Sequence, residues 1–306
     1  MTTTVKLQET LRAVFYTPFY LALELGAYER HGIEIEFGRP EVPSDAARTL
    51  FNGQADVSWG GPMRMMQYMD SHGAGSIVGF AEAVTRDPFY LLGTDPNPQF
   101  VFADLEGKAL CPVSEVPTPW ICLKDDLGRA SVDVASMALI EGRTMAENAD
   151  ALRTREVDVI QVFEPFVEAL VDEGAGHIWY AASTRGPTSY TTLYTSREYA
   201  EAQPEVLGAM AKAVQDALVW LHGHTGLAVA EQIACYFPER DVARLAGAVE
   251  RYQAFNVWGR DPVLPLEGFV RLKSALIADG FITSDIPFES CVDNRFALAA
   301  ADRTRS

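Results

Sequence analysis

The residues of this chain that are able to do chemistry stand in short clusters behind apolar runs. Tyr16 and Thr17 close the run Leu11–Tyr16. A tyrosine there can stack on or hydrogen-bond to a ligand, or it can be a core ring with a satisfied hydroxyl. Trp59, Gly60, Gly61 and Pro62 follow the next run. Paired glycines let backbone approach a ligand closely, and Trp59 can wall it, although a plain turn explains the glycines too. Arg64 would then stand in the first turn of a helix. Its guanidinium can pair bidentately with a carboxylate or sulfonate, or it can simply be solvated. Glu82, with Arg86 behind it, can accept a ligand N–H, though a lone Glu is more often a surface residue. Ser114, Glu115 and Thr118 form a polar loop ahead of a helix, where Ser and Thr commonly act as caps. Glu164 follows the very apolar run Val157–Phe163, and Ser189 with Tyr190 stands near a chain crossing.

These clusters make no catalytic constellation. There is no G-x-S-x-G elbow, no H-E-x-x-H and no phosphate loop. His222 and His224 are two ligands without a third, and Cys111, Cys122, Cys235 and Cys291 lack zinc-type spacing. The expectation is therefore no catalytic residue, no metal and no cofactor, with the cysteines acting as buried small hydrophobes.

The clusters need an alternating α/β frame to hold them. Strands are expected at Leu11–Tyr16, Ile33–Phe37, Ala55–Trp59, Ser76–Val84, Phe89–Gly93, Lys108–Val113, Val157–Phe163 and Ile178–Ala181. Helices are expected to open at Thr17-Pro18, Ser44, Pro62, Thr118-Pro119 and Glu164-Pro165, where a polar cap or an early proline suits a first turn. Beyond Ser196 the pattern is helical: Pro204–His222, Leu227–Cys235, Asp241–Phe255 and Leu266–Asp279. One internal echo stands out. Gly53-Gln-Ala-Asp-Val and Arg155-Glu-Val-Asp-Val each lead, through a short loop, to a proline that opens a helix.

With 306 residues, two globular units are expected. A net charge of −17 opposes phosphate backbones and anionic lipid, so nucleic acid is not an expected partner, although Arg64, Arg86 or Arg185 can still make a local positive site. No run is long and apolar enough to span a membrane, and no basic-then-apolar leader is visible at Met1.

Three segments carry a family resemblance: Phe15–Glu36 with its Leu-Gly-Ala-Tyr-x-x-x-Gly-Ile core, Leu50–Val57, and Ala103–Leu110. They resemble the substrate-binding proteins of sulfonate, taurine, nitrate and thiamine-pyrimidine uptake, and the related thiamine-pyrimidine synthases. The resemblance implies a two-lobed, periplasmic-binding-protein-like α/β fold of type II. Lobe one would be 1–95 plus 190–306 and lobe two 96–189, with a small organic molecule clamped between them for an ABC-type permease. It implies an exported protein, whereas a native Met1 without a leader would imply a cytoplasmic one. The synthase Lys and His positions fall at Gly60 and Arg64 and the cysteine cluster is missing, which argues against that activity. A cytosolic enzyme or ligand sensor on the same fold is the alternative.

Overall fold

The computed structural model describes residues 2–40, 45–73 and 75–302. The chain is α/β and divides into two compact units, residues 1–86 with 187–306, and residues 87–186. Each contains one five-stranded sheet.

The first sheet runs β2 (Ile33–Gly38), β1 (Thr3–Glu9), β3 (Val57–Gly60), β10 (Thr191–Ser196), β4 (Ile77–Val84). β1 lies parallel to β2 and β3, while β10 is antiparallel to β3 and β4. The second runs β7 (Ala138–Leu139), β6 (Ala109–Cys111), β8 (Val159–Val162), β5 (Tyr90–Gly93), β9 (His177–Ala181). Again the first three strands are parallel, and β5 is antiparallel to both its neighbours. The two sheets share one strand plan.

The internal echo falls on the equivalent strands β3 and β8, and its residues repeat the same physics. Gly53 and Arg155 both take positive φ, at 75° and 56°, reversing the chain before the strand. Asp56 then accepts the Lys6 N–H at 2.8 Å, and Asp158 accepts the Ala109 N–H at 2.8 Å. Each aspartate thereby ties its strand to the parallel neighbour where the ladder is short.

The first unit departs from expectation in several places. Leu11–Tyr16 is not a strand: β1 lies earlier, and Val14–Tyr16 is a 3-10 turn feeding the helix Thr17–Glu24. Arg12 is drawn back onto Glu9, with Nε–Oε1 at 2.8 Å, which bends the chain out of the sheet. β10 was not expected at all. Its row Thr-Thr-Leu-Tyr-Thr-Ser is polar, yet all six residues are buried. Ser44 lies outside the described residues, and the helix expected behind it is replaced near Arg48–Leu50 by a 3-10 turn. The first unit also ends earlier than Asp95-Pro implies, because β5 pairs with β8 and β9.

The second unit is fastened where it begins and ends. Arg185, nearly fully buried, donates to Asp87 at 2.5 Å and also pairs with Asp126. Tyr180 donates to Asp126 at 3.0 Å. Three of the four cysteines are buried as expected, but Cys235 is exposed.

Candidate ligand-binding site

The C-terminal ends of β1, β3 and β4 meet the N-terminal end of β10 along one edge of the first sheet. The register sets Thr192 opposite Gly60 on one side and opposite Glu82 on the other. Directly opposed residues share a face, so Ser58, Gly60, Thr192 and Tyr194 lie on one side of the sheet and Trp59 on the other, while Glu82 opposes Thr192 between two register shifts of the β4–β10 pair. Ligands in open α/β sheets bind outside such strand ends.

Gly60 is required by close approach. A Cβ there would meet both Thr10 side-chain atoms at 3.3 Å and the Tyr194 ring at 3.4 Å. Gly61 is the cap of the helix Pro62–His72, and a Cβ on it would stand 3.4 Å from the Tyr190 carbonyl oxygen. Arg64 stands in the first turn of that helix. Its guanidinium bonds Gln67 at 3.2 Å and meets no carboxylate among the described residues. Half-buried, it has its pKa lowered by desolvation, against which the nearby Tyr194 and Tyr16 hydroxyls pull only weakly. Arg185 forms the contrast, since two carboxylates already neutralise it.

Tyr16 is buried, and its hydroxyl faces Thr10 at 3.4 Å. Thr17 turns inward and donates to the Val14 carbonyl at 2.6 Å, which occupies its hydroxyl locally. Trp59 does not form the expected wall. It is fully buried, stacked on Phe19 and Phe37 with centroids 5.0 and 5.1 Å away, and edged by Tyr16 and Tyr20. Its faces are taken by the rings of Phe19 and Phe37, because Trp59 points to the side of the sheet opposite Gly60.

Glu82 is not the solvated residue that a lone Glu usually is. It is 0% exposed, and neither carboxylate oxygen makes a hydrogen bond to a described residue. Burial raises its pKa well above the ordinary carboxylate range; the Ser189 hydroxyl and Tyr190 N–H beside it offset only part of this. The hydroxyls of Ser189, Thr191 and Tyr194 are likewise buried without partners. The backbone around them is fixed: Glu82 N–H bonds the Pro262 carbonyl at 2.8 Å, Ser189 N–H that of Gly268 at 3.1 Å, and Tyr190 N–H that of Val84 at 3.0 Å.

The expected residues of the second unit have local duties. Ser114 accepts from the Gly142 N–H at 2.9 Å, and Glu115 from the Met145 N–H at 3.0 Å. Thr118 is buried inside the helix Pro117–Arg129, whose cap position is Val116 rather than a Ser or Thr. Glu164 is fully buried and accepts the Glu168 N–H at 2.9 Å, at the start of the helix Phe166–Asp172.

Sequence reasoning missed Thr10, Thr191 and Tyr194, because they sit on or beside the two unread strands. It also missed Glu9, whose fully buried carboxylate takes Arg12, Arg39 and Tyr20 and so fixes the end of β1. The period-two row Thr3, Val5, Leu7 was the available signal for β1.

Comparison with known proteins adds family and fold. A family described as NMT1/THI5 like matches residues 15–226. The protein YtlA of Bacillus subtilis (strain 168) is 22% identical over 298 residues, covering 96% of this chain and 89% of YtlA. The periplasmic aliphatic sulphonate binding protein SsuA from Escherichia coli superposes with a TM-score of 0.75 at 14% identity, over 94% of this chain and 96% of that one. The periplasmic nitrate-binding protein NrtA from Synechocystis PCC 6803 does so at 0.68 and 13% identity, over 99% and 89%. At these identities the structural likeness is one of fold.

Proposed function

The chain belongs to the NMT1/THI5-like family, and from that premise we propose that it is the solute-binding component of an ABC-type importer, taking a small organic anion at Arg64. The observation that carries this reading is a half-buried guanidinium with no carboxylate partner among the described residues, set at a helix start beside Gly60, Gly61 and two tyrosine hydroxyls. A protein gains nothing by desolvating an unpaired cation, and an arriving anion restores the lost interactions. Sulfonate and nitrate, bound by the two structural relatives named above, are both anions, which supports this choice. In this reading the protein works outside the cytoplasm and hands its ligand to a membrane permease.

The test is a thermal-stability panel of aliphatic sulfonates, aromatic carboxylates, nitrate and pyrimidines. One anion class is expected to add about 2.7 kcal/mol at roughly 100 times its Kd, and to be recovered unchanged. Consumption of the ligand would point instead to a cytosolic enzyme on this fold, and a response to uncharged pyrimidines alone would remove Arg64 from the centre of the account.

A further inference from the structure

Glu82 is the residue that the anion reading leaves unexplained. Glu82 lies at the same sheet edge as Gly60, two strands away across β10, where both oppose Thr192. Neighbouring strands are spaced by about 4.8 Å, so the two backbone positions are roughly 10 Å apart. Arg64 and Glu82 form no ion pair, although they carry opposite formal charges at one edge. Beside Glu82 the hydroxyl of Ser189 is also buried without a hydrogen-bond partner.

The charged groups nearby do not resolve this. On β10 and its lead-in the titratable neighbours are Tyr190 and Tyr194. The helix Pro62–His72 brings Arg64. The helix Leu266–Ala278 brings Glu267 and Arg271, which face each other at 3.9 Å. The segment ahead of it holds Arg260 and Asp261, and gives Glu82 a backbone carbonyl only. Among the described residues no charged side chain acts on the carboxylate; the Ser189 hydroxyl and the Tyr190 N–H are the groups beside it. An unpaired buried charge is costlier than an unpaired neutral acid, so the fold favours the protonated form.

We propose that Glu82 meets the ligand as a neutral carboxylic acid, selecting a molecule that carries an uncharged hydrogen-bonding group some distance from its anionic group. The proposal rests on the anion reading at Arg64 and adds the identity of the second end. A neutral acid offers one donor and one acceptor side by side, with the Ser189 hydroxyl as a further partner. A hydroxyl or amide on the ligand satisfies them. A methyl leaves them orphaned, and an ammonium would have to strip the proton and be desolvated at the same time. Binding is thereby linked to a proton, and affinity falls as pH rises through the Glu82 pKa.

Three matched sulfonates test this by calorimetry: 1-butanesulfonate, 3-hydroxypropane-1-sulfonate and 3-aminopropane-1-sulfonate, each titrated over a series of pH values that starts just above the ordinary carboxylate range. The hydroxyl compound is expected to bind roughly five- to tenfold more tightly than the methyl compound. Its affinity should weaken by up to about tenfold per pH unit above the Glu82 pKa. E82Q, which keeps a neutral donor and acceptor, should bind with little pH dependence and within several-fold of the best wild-type value. The wild-type series stands alone if E82Q does not fold. Tightest binding by the ammonium compound, strengthening with pH, would overturn the proposal in favour of an ionised Glu82. Equal binding of the methyl and hydroxyl compounds with no pH dependence would overturn it by removing Glu82 from the site. Failure of all three to bind at any pH would overturn this proposal, and the anion reading falls with it only if nitrate and aromatic carboxylates also fail to bind.

Discussion

Replacing Arg64 with methionine separates ligand binding from folding. Among the described residues the guanidinium of the free protein bonds only Gln67, and no carboxylate depends on it. Its burial lowers its pKa, so the charge is a burden on the unliganded fold. Methionine fills a similar volume without that charge. The stability of free R64M should therefore stay within about 1 kcal/mol of wild type, and an increase is the more natural direction. Binding should respond quite differently. A charge-assisted hydrogen bond contributes about 1.5–3 kcal/mol, and a guanidinium can make two to one anionic group. A loss of about 3 kcal/mol corresponds to roughly a hundredfold in Kd. R64K keeps the charge but loses the fork and should fall between. Urea unfolding of the free proteins and calorimetry with a sulfonate measure both quantities. Loss of more than about 2 kcal/mol of free-state stability, with affinity unchanged, would refute the reasoning and make Arg64 a structural residue.

Four further outcomes follow from the same geometry. Because burial raises the Glu82 pKa, its contribution to stability is fully present below the unfolded value of about 4.3 and is lost as pH rises toward the folded pKa, by up to about 1.4 kcal/mol per unit; the stability of wild type relative to E82Q, followed by urea unfolding against pH, should fall over that window. G60A crowds a methyl against Thr10 and Tyr194, and should lower stability by about 1–3 kcal/mol as well as weaken anion binding, read by urea unfolding and calorimetry. W59A should cost about 3–5 kcal/mol and act on folding rather than on ligand contact. D56A and D158A each remove a carboxylate that holds the N–H of a parallel neighbour, and should destabilise by a similar ~1–3 kcal/mol, since the two sheets use these residues alike.

Much of the frame was legible because its strands are apolar runs ended by glycine or proline. β3, β4 and β8, and the helices opened by Pro62, Pro117 and Pro204, fall close to where periodicity and caps put them. The α/β fold class is the one expected; the division into two five-stranded sheets comes from the structure. The two strands that escaped notice are informative. β1 sits at the chain start with Lys6 and Gln8 in its row, and β10 consists of threonines, a tyrosine and a serine. Their burial comes from sheet neighbours far away in sequence, a tertiary cause with little local signal. The site suffered accordingly: Arg64, Gly60 and Glu82 could be named from their position after readable strands, while Thr10, Thr191 and Tyr194 could not. Trp59 was misjudged for a simpler reason. Once β3 ends at Gly60, alternation sends Trp59 to the face opposite Gly60 and into the rings of Phe19 and Phe37.

The central claim is that a small organic anion is held at Arg64. A crystal structure of the protein with a bromoalkanesulfonate, located by the anomalous signal of bromine and the shape of the sulfonate, tests it most directly. The account predicts sulfonate oxygens about 2.7–2.9 Å from the Arg64 guanidinium, beside Gly60 and the Tyr16 and Tyr194 hydroxyls. A well-ordered sulfonate bound elsewhere, with Arg64 still bonded only to Gln67, would contradict it.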